Sequence, residues 1–190
     1  MSDQVLWFAA RGAGAVSMLM FTASVAFGLV TVSRFQHPEW PRFFNYEMHR
    51  RVSLLSIVFL AIHILTAIID PFTSLGLAAL IPFASTYRPL AVALGVLAVY
   101  LFVAVVVTSL IRKHIGQRAW RIVHWSSYLM WPLAVIHGIT AGTDAFTPWM
   151  VGIDLLCMVV IGVCLVWRLM PPPEPAPRSL LPGALDRPGS

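Results

Sequence analysis

Residues 89–111 read PLAVALGVLAVYLFVAVVVTSLI, without a single charged side chain. A helix of that length, rising about 1.5 Å per residue, crosses the roughly 30 Å apolar core of a bilayer. Strands of a membrane barrel are shorter and alternate apolar with polar residues, which this run does not do. Working outward, four further blocks share its character: about 12–33, 49–69, 120–140 with Pro132 inside it, and 148–167 with Asp154 inside it. The pattern predicts an all-α fold, a polytopic membrane helical bundle of about five transmembrane helices.

Composition agrees. Charged residues are 11% of the 190-residue chain and apolar residues 58%, with mean hydropathy +0.80. A typical soluble domain carries roughly 25% charged residues. A soluble globular enzyme of this size could not hide so much apolar surface, and disorder is excluded for everything but the ends. The net charge of +5 is read as membrane topology, not as a nucleic-acid footprint; no nucleic acid is expected as a partner.

The basic residues assign the sides. Arg34, Arg42, Arg50 and Arg51 fall before the second block, Arg112, Lys113, Arg118 and Arg121 between the third and fourth, and Arg168, Arg178 and Arg187 after the fifth. In a five-span chain all of these lie on one side, leaving only Arg11 and Arg88 on the other. The positive-inside rule then puts the N-terminus outside and the C-terminus in the cytoplasm. The first block has neither a basic leader nor a convincing cleavage site, so it is expected to stay as a span. The apolar stretch 75–83 is too short to cross and is expected at the interface or capping the bundle. Residues 1–170 form the membrane domain. Residues 171–190, PPPEPAPRSLLPGALDRPGS, read as a Pro-rich, disordered cytoplasmic tail. Cys157 and Cys164, about 10 Å apart along one helix, cannot form a disulfide, and no CxxCH is present for covalent haem attachment.

The histidines carry the chemistry. His37 and His114 lie in basic-side loops and are expected to be solvated. The other four lie in spans: His49 and His63 fourteen residues apart on the second, His124 and His137 thirteen apart on the fourth. Both spans run from inside to outside, so His49 pairs in depth with His124, and His63 with His137, about 20 Å further out. Ionisable groups at such depth are costly and usually functional. A haem iron takes two axial imidazoles from opposite sides, which facing helices can supply. Zinc would want four close ligands. Copper is not set aside by spacing, though no methionine-rich box accompanies the histidines. The plain structural alternative is four core histidines bonded to neighbouring helices. Thirteen residues at 100° each leave His124 and His137 about 140° apart on an ideal helix. A common face therefore requires a distortion, expected at Pro132, which lacks a backbone donor.

Two segments, HRRVSLLSIVFLAIH (49–63) and WRIVHWSSYLMWPLAVIH (120–137), resemble the ferric reductase-like transmembrane domain family. That family includes the membrane cores of ferric reductases and NADPH oxidases and the haem subunit of the periplasmic methionine sulfoxide reductase system. The likeness extends over about residues 12–168 and rests on the spacings of fourteen and thirteen and the WRxxH lead-in to the fourth span. It implies a bundle binding two non-covalent b-type haems, with His49 and His124 holding the inner one and His63 and His137 the outer. The chain departs from the oxidases and larger reductases in two ways: only about twenty residues follow the fifth span, too few for a flavin or nicotinamide domain, and one of the usual six spans is lacking. A stand-alone haem subunit of an oxidoreductase system is expected instead of a complete enzyme.

Haem propionates would meet Arg121, Arg50 or Arg51 at the inner depth and Arg88 or Arg11 at the outer edge, although interfacial arginines also serve as anchors. Trp120, Trp125, Trp131, Tyr87 and Tyr128 could pack on the rings or form the interfacial belt, and Gly14, Gly28 and Gly95 allow close approach. Asp154 is expected as an outer-rim carboxylate. The expectation is a multi-pass protein of the bacterial inner membrane that relays single electrons. Its donor would be a separate cytoplasmic flavoprotein reductase or a quinol, and its acceptor an external redox protein or small molecule. The rivals are an outer-face reductase of ferric chelates or oxygen fed by a separate flavoprotein, and a non-redox metal transporter.

Overall fold

The computed structural model describes residues 2–32, 42–71 and 73–170; His37 and the Pro-rich tail lie outside them. The described residues are helical with short connections: α1 (Ser2–Val32), α2 (Arg42–Ile69), a 3-10 turn (Gly76–Leu80), α3 (Pro89–Leu110), α4 (Arg112–Trp125), α5 (Ser127–Ala141) and α6 (Pro148–Leu169). Four of these are long and apolar enough to cross a membrane: Val5–Thr31, Phe43–Ile69, Pro89–Leu110 and Pro148–Leu169. The outward faces are apolar, as lipid requires, and the interior is apolar with a few polar groups. Leu54, Val58 and Leu65 of α2 and Val159, Val163 and Val166 of α6 are exposed, whereas Thr22, Ser24, Ser56 and Asp154 are buried.

α1 is the centre. It packs along the length of α2 and also against α5 and α6. Met18 meets Val135 and Cys157, and Val25 and Leu29 meet Ile161. Trp131 donates its indole N–H to Thr22 across the α1–α5 contact at 3.0 Å, so it is a core residue and not part of an interfacial belt. α3 packs on α5, and α4 continues along α3. Small residues line these seams, with Ala10, Ala13, Ala15, Ala91, Ala93 and Ala98 all buried. Without a hydrophobic effect between helices in lipid, close backbone approach through such residues provides the packing.

The fourth block is not one helix. It divides at Ser126 into α4 and α5, six residues before the expected Pro132, which sits inside α5. At the break the Ser126 amide donates to Val123 O and the Leu129 amide to Ser126 O, the three-residue spacing of a 3-10 turn. Such a turn winds about 120° per residue against about 100° for an α-helix, which rotates His124 toward the face of His137. His114, expected in a loop, is exposed in a single helical turn that Gly116 (φ 78°, ψ 160°) separates from the rest of α4.

The segment between α2 and α3 caps the opposite end. Leu75 and Ala79 are half-buried against the bundle while Leu77, Leu80 and Phe83 are exposed, and Tyr100 of α3 donates its hydroxyl to Leu80 O at 2.7 Å. Arg88 holds left-handed backbone (φ 40°, ψ 63°) immediately before Pro89, the first residue of α3.

Candidate functional site

The depth pairing of the histidines is met. The rings of His49 and His124 lie 6.1 Å apart, centroid to centroid, with planes at 72°. Those of His63 and His137 lie 6.3 Å apart at 74°. Among the described residues α2 packs chiefly on α1 and α5 chiefly on α3, so the rings face one another across a gap between two halves of the bundle.

Three of the four rings are seated in the same manner. His63 Nδ1 bonds to Ala10 O, His49 Nδ1 to Ser24 O and His137 Nδ1 to Ala91 O, each at 2.8 Å. A carbonyl only accepts, so Nδ1 carries the proton in all three, and the neutral ring keeps a bare lone pair on Nε2. A carbonyl partner on one ring nitrogen, fixing the tautomer for the other, is the usual arrangement of a metal-binding histidine. These bonds also satisfy the simpler description of core histidines tied to neighbouring helices. The facing of the rings in pairs is what that description leaves unexplained.

Each accepting carbonyl stands four residues before a glycine that lies against the same ring. A Cβ on Gly14 would fall 3.0 Å from His63 Nδ1, one on Gly28 3.7 Å from His49 Nδ1, and one on Gly95 2.6 Å from His137 Nδ1. Gly14 and Gly28 are fourteen residues apart on α1, mirroring His63 and His49 on the antiparallel α2. The glycines thus admit the backs of the imidazoles. The seat of His49 is reinforced by Ser24, whose hydroxyl bonds to Ser53 Oγ at 2.7 Å, while Ser53 donates to His49 O at 2.6 Å. His124 differs: its Nδ1 is buried and has no hydrogen-bond partner among the described residues, and Trp120 stacks on its ring at 4.8 Å.

The His63–His137 pair opens into a cavity of about 250 Å³. Its wall is mainly apolar, with Met18, Phe21 and Val96, and is punctuated by Arg11, Tyr87, Asp144 and Asp154. Arg11, not Arg88, is the cation in this wall. It donates to Asp144 Oδ1 at 2.7 Å and to Thr143 Oγ1 at 2.9 Å. Asp144 was not legible as a partner from sequence. Arg88 instead donates to the carbonyls of Thr140 and Gly142 at the C-terminus of α5, where helical carbonyls lack amide partners. Asp154 is buried in the cavity wall and is not a rim residue. At the other end Arg121 is exposed on α4 with no hydrogen bond or ion pair among the described residues. Arg51 pairs with Glu47 at 2.8 Å and Arg50 more loosely at 3.9 Å.

The donor set discriminates between ligands. Among the described residues no three or more His, Cys, Asp or Glu side chains gather to hold a bare metal ion. Two imidazoles suffice where a macrocycle supplies the other four nitrogens, as in haem. Nitrogens each about 2 Å from a shared metal put ring centroids about 6 Å apart, which is the separation of both pairs. The residues fit the group.

Fold and site together define a multi-pass helical membrane protein with two pairs of facing, half-buried imidazoles. The chain belongs to the ferric reductase like transmembrane component family, whose model matches residues 12–141. That family comprises membrane redox components and generally binds haem. No curated protein and no solved structure matches the chain.

Proposed function

We propose that this chain is a di-haem b-type cytochrome that relays single electrons across the bacterial inner membrane. His49 and His124 hold one haem near the basic, cytoplasmic end, and His63 and His137 hold the other near the outer end. The observation that carries the reading is the double coincidence at these pairs. Two sets of rings face each other at bis-imidazole separation, and three of the rings have Nδ1 anchored so that Nε2 is the free ligand. When bound, each haem supplies an iron that cycles between ferrous and ferric without an open coordination position. The chain's own part is to fix ring direction, exclude water and hold the propionates. Arg121 serves that last role at the basic end, and Arg11 takes the outer role expected of Arg88. Electrons enter from a cytoplasmic flavoprotein or a quinol and leave to an external protein or small acceptor.

Visible spectra of the purified protein, oxidised and dithionite-reduced, test this together with a pyridine haemochrome assay. The expected result is a low-spin b-type spectrum and two haems per chain. A colourless protein, after expression with ample haem, would overturn the proposal.

A further inference from the structure

The three anchored histidines obey one register. On α1 and α2 the glycine and histidine numbers of each seat, Gly14 with His63 and Gly28 with His49, have the same sum, as antiparallel helices require. On α3 and α5 the seat is Gly95 with His137, its acceptor Ala91 O. Stepping thirteen residues back from His137 to His124 and thirteen forward along α3 arrives at Thr108, with Ala104 as the corresponding acceptor. The register continues into α4, because Trp120 donates to Ser109 of α3 at 3.2 Å.

At this fourth seat the pattern is broken. Where the others have glycine there is a β-branched side chain, and its hydroxyl donates to Ala104 O at 2.7 Å. The carbonyl that register assigns to His124 is therefore taken by Thr108, and His124 Nδ1 is the buried nitrogen without a partner among the described residues. We propose that Thr108 is a positioning residue that withholds the backbone anchor from His124, making the His49–His124 haem the more weakly held and the higher in potential of the two. This inference rests on the cytochrome reading. Its physical basis is that an N–H···O=C bond at Nδ1 raises imidazole basicity, which favours ferric iron, and that loss of such a partner commonly costs 10–100-fold in metal affinity. Trp120 stacking limits the ring's excursion but supplies no acceptor for Nδ1.

The test compares the full-length protein with Thr108→Gly, which removes both the branched side chain and the competing hydroxyl. Two readouts are taken: redox titration of the α-band, and the rate of haem transfer to apomyoglobin. The wild type is expected to lose its haems in two phases separated about ten-fold or more. In Thr108→Gly the faster phase slows toward the other, and one midpoint potential falls while the second haem, an internal control, stays in place. Thr108→Ala, which keeps a helix-favouring residue, gives a smaller shift in the same direction and stands in where the glycine variant fails to fold. Two haems whose potentials and loss rates do not respond to either variant would overturn the role of Thr108 and leave the cytochrome reading intact. A wild type that binds no haem would instead overturn the cytochrome reading itself.

Discussion

Gly95 lies directly behind the ring of His137: a Cβ there would meet Nδ1, Cε1 and Cγ at 2.6, 2.7 and 2.9 Å. The ring cannot retreat, because its Nδ1 is held by Ala91 O on the same helix. Gly95→Ala therefore forces His137 forward or breaks its anchor. Overpacking of this kind costs about 1–3 kcal/mol, or about five- to 150-fold in retention of one haem. Gly14→Ala, with contacts of 3.0 and 3.1 Å on His63, should show the same effect more weakly. Gly28→Ala, at 3.7 Å from His49, should be near wild type. Haem content per chain across the three variants checks the order, and an inverted order would refute the seating of the rings.

The pairing makes a prediction that single substitutions cannot test alone. His63→Ala and His137→Ala should each reduce haem content from two per chain to one. Combining them should cost no more, because both serve one site. His63→Ala with His124→Ala should remove both haems. A crossed combination that keeps one haem would mean that the helices pair their histidines differently.

Arg11 and Asp144 tie the start of α1 to the α5–α6 connection, with side chains only 19% and 12% exposed. Asp144→Asn keeps the shape but removes the charge, and Arg11→Ala leaves the carboxylate without its partner. Charge-assisted hydrogen bonds of this sort are each worth about 1.5–3 kcal/mol. Both variants should melt earlier in detergent, Arg11→Ala the more so because it also abandons Thr143. Equal melting temperatures for wild type and both variants would show the pair to be inert.

Topology is open to a direct measurement. A phosphatase reporter fused after Met170 should be inactive and a fluorescent protein there should be bright. The phosphatase inserted in the segment 73–87 should be active. Reversed signals would place the basic end outside and reverse the assignment of inner and outer haem.

Much of this was legible in the sequence, because membrane spans and their histidines declare themselves by length, apolarity and spacing. The depth pairing of His49 with His124 and His63 with His137 needed only helical rise and topology. The break at Ser126 was not legible. Thirteen-residue spacing demanded some rotation, but Pro132 was the conspicuous breaker, and a 3-10 turn at a serine leaves no comparable mark. The glycines were visible as close-approach positions, yet their partners were not. The available signal was the equality of two intervals, fourteen residues between Gly14 and Gly28 and fourteen between His49 and His63. Sequence gives depth along a helix but not azimuth, so Asp154, expected at the rim, lies in the cavity wall, and the bonds of Arg88 to the end of α5 were not visible.

The rings of α2 are moored to α1, and the ring of His137 to α3. Neither member of a facing pair is fastened to the other, so the gap between them is set remotely, by the way α1 abuts α5 at Thr22, Trp131, Met18 and Val135. The two halves are clamping plates that share this spacer, pinned further by Arg11 and Asp144, and one adjustment of the spacer resets both gaps together. Trp131 makes no hydrogen bond to any of the four histidines, yet a change there would disturb the two pairs in concert.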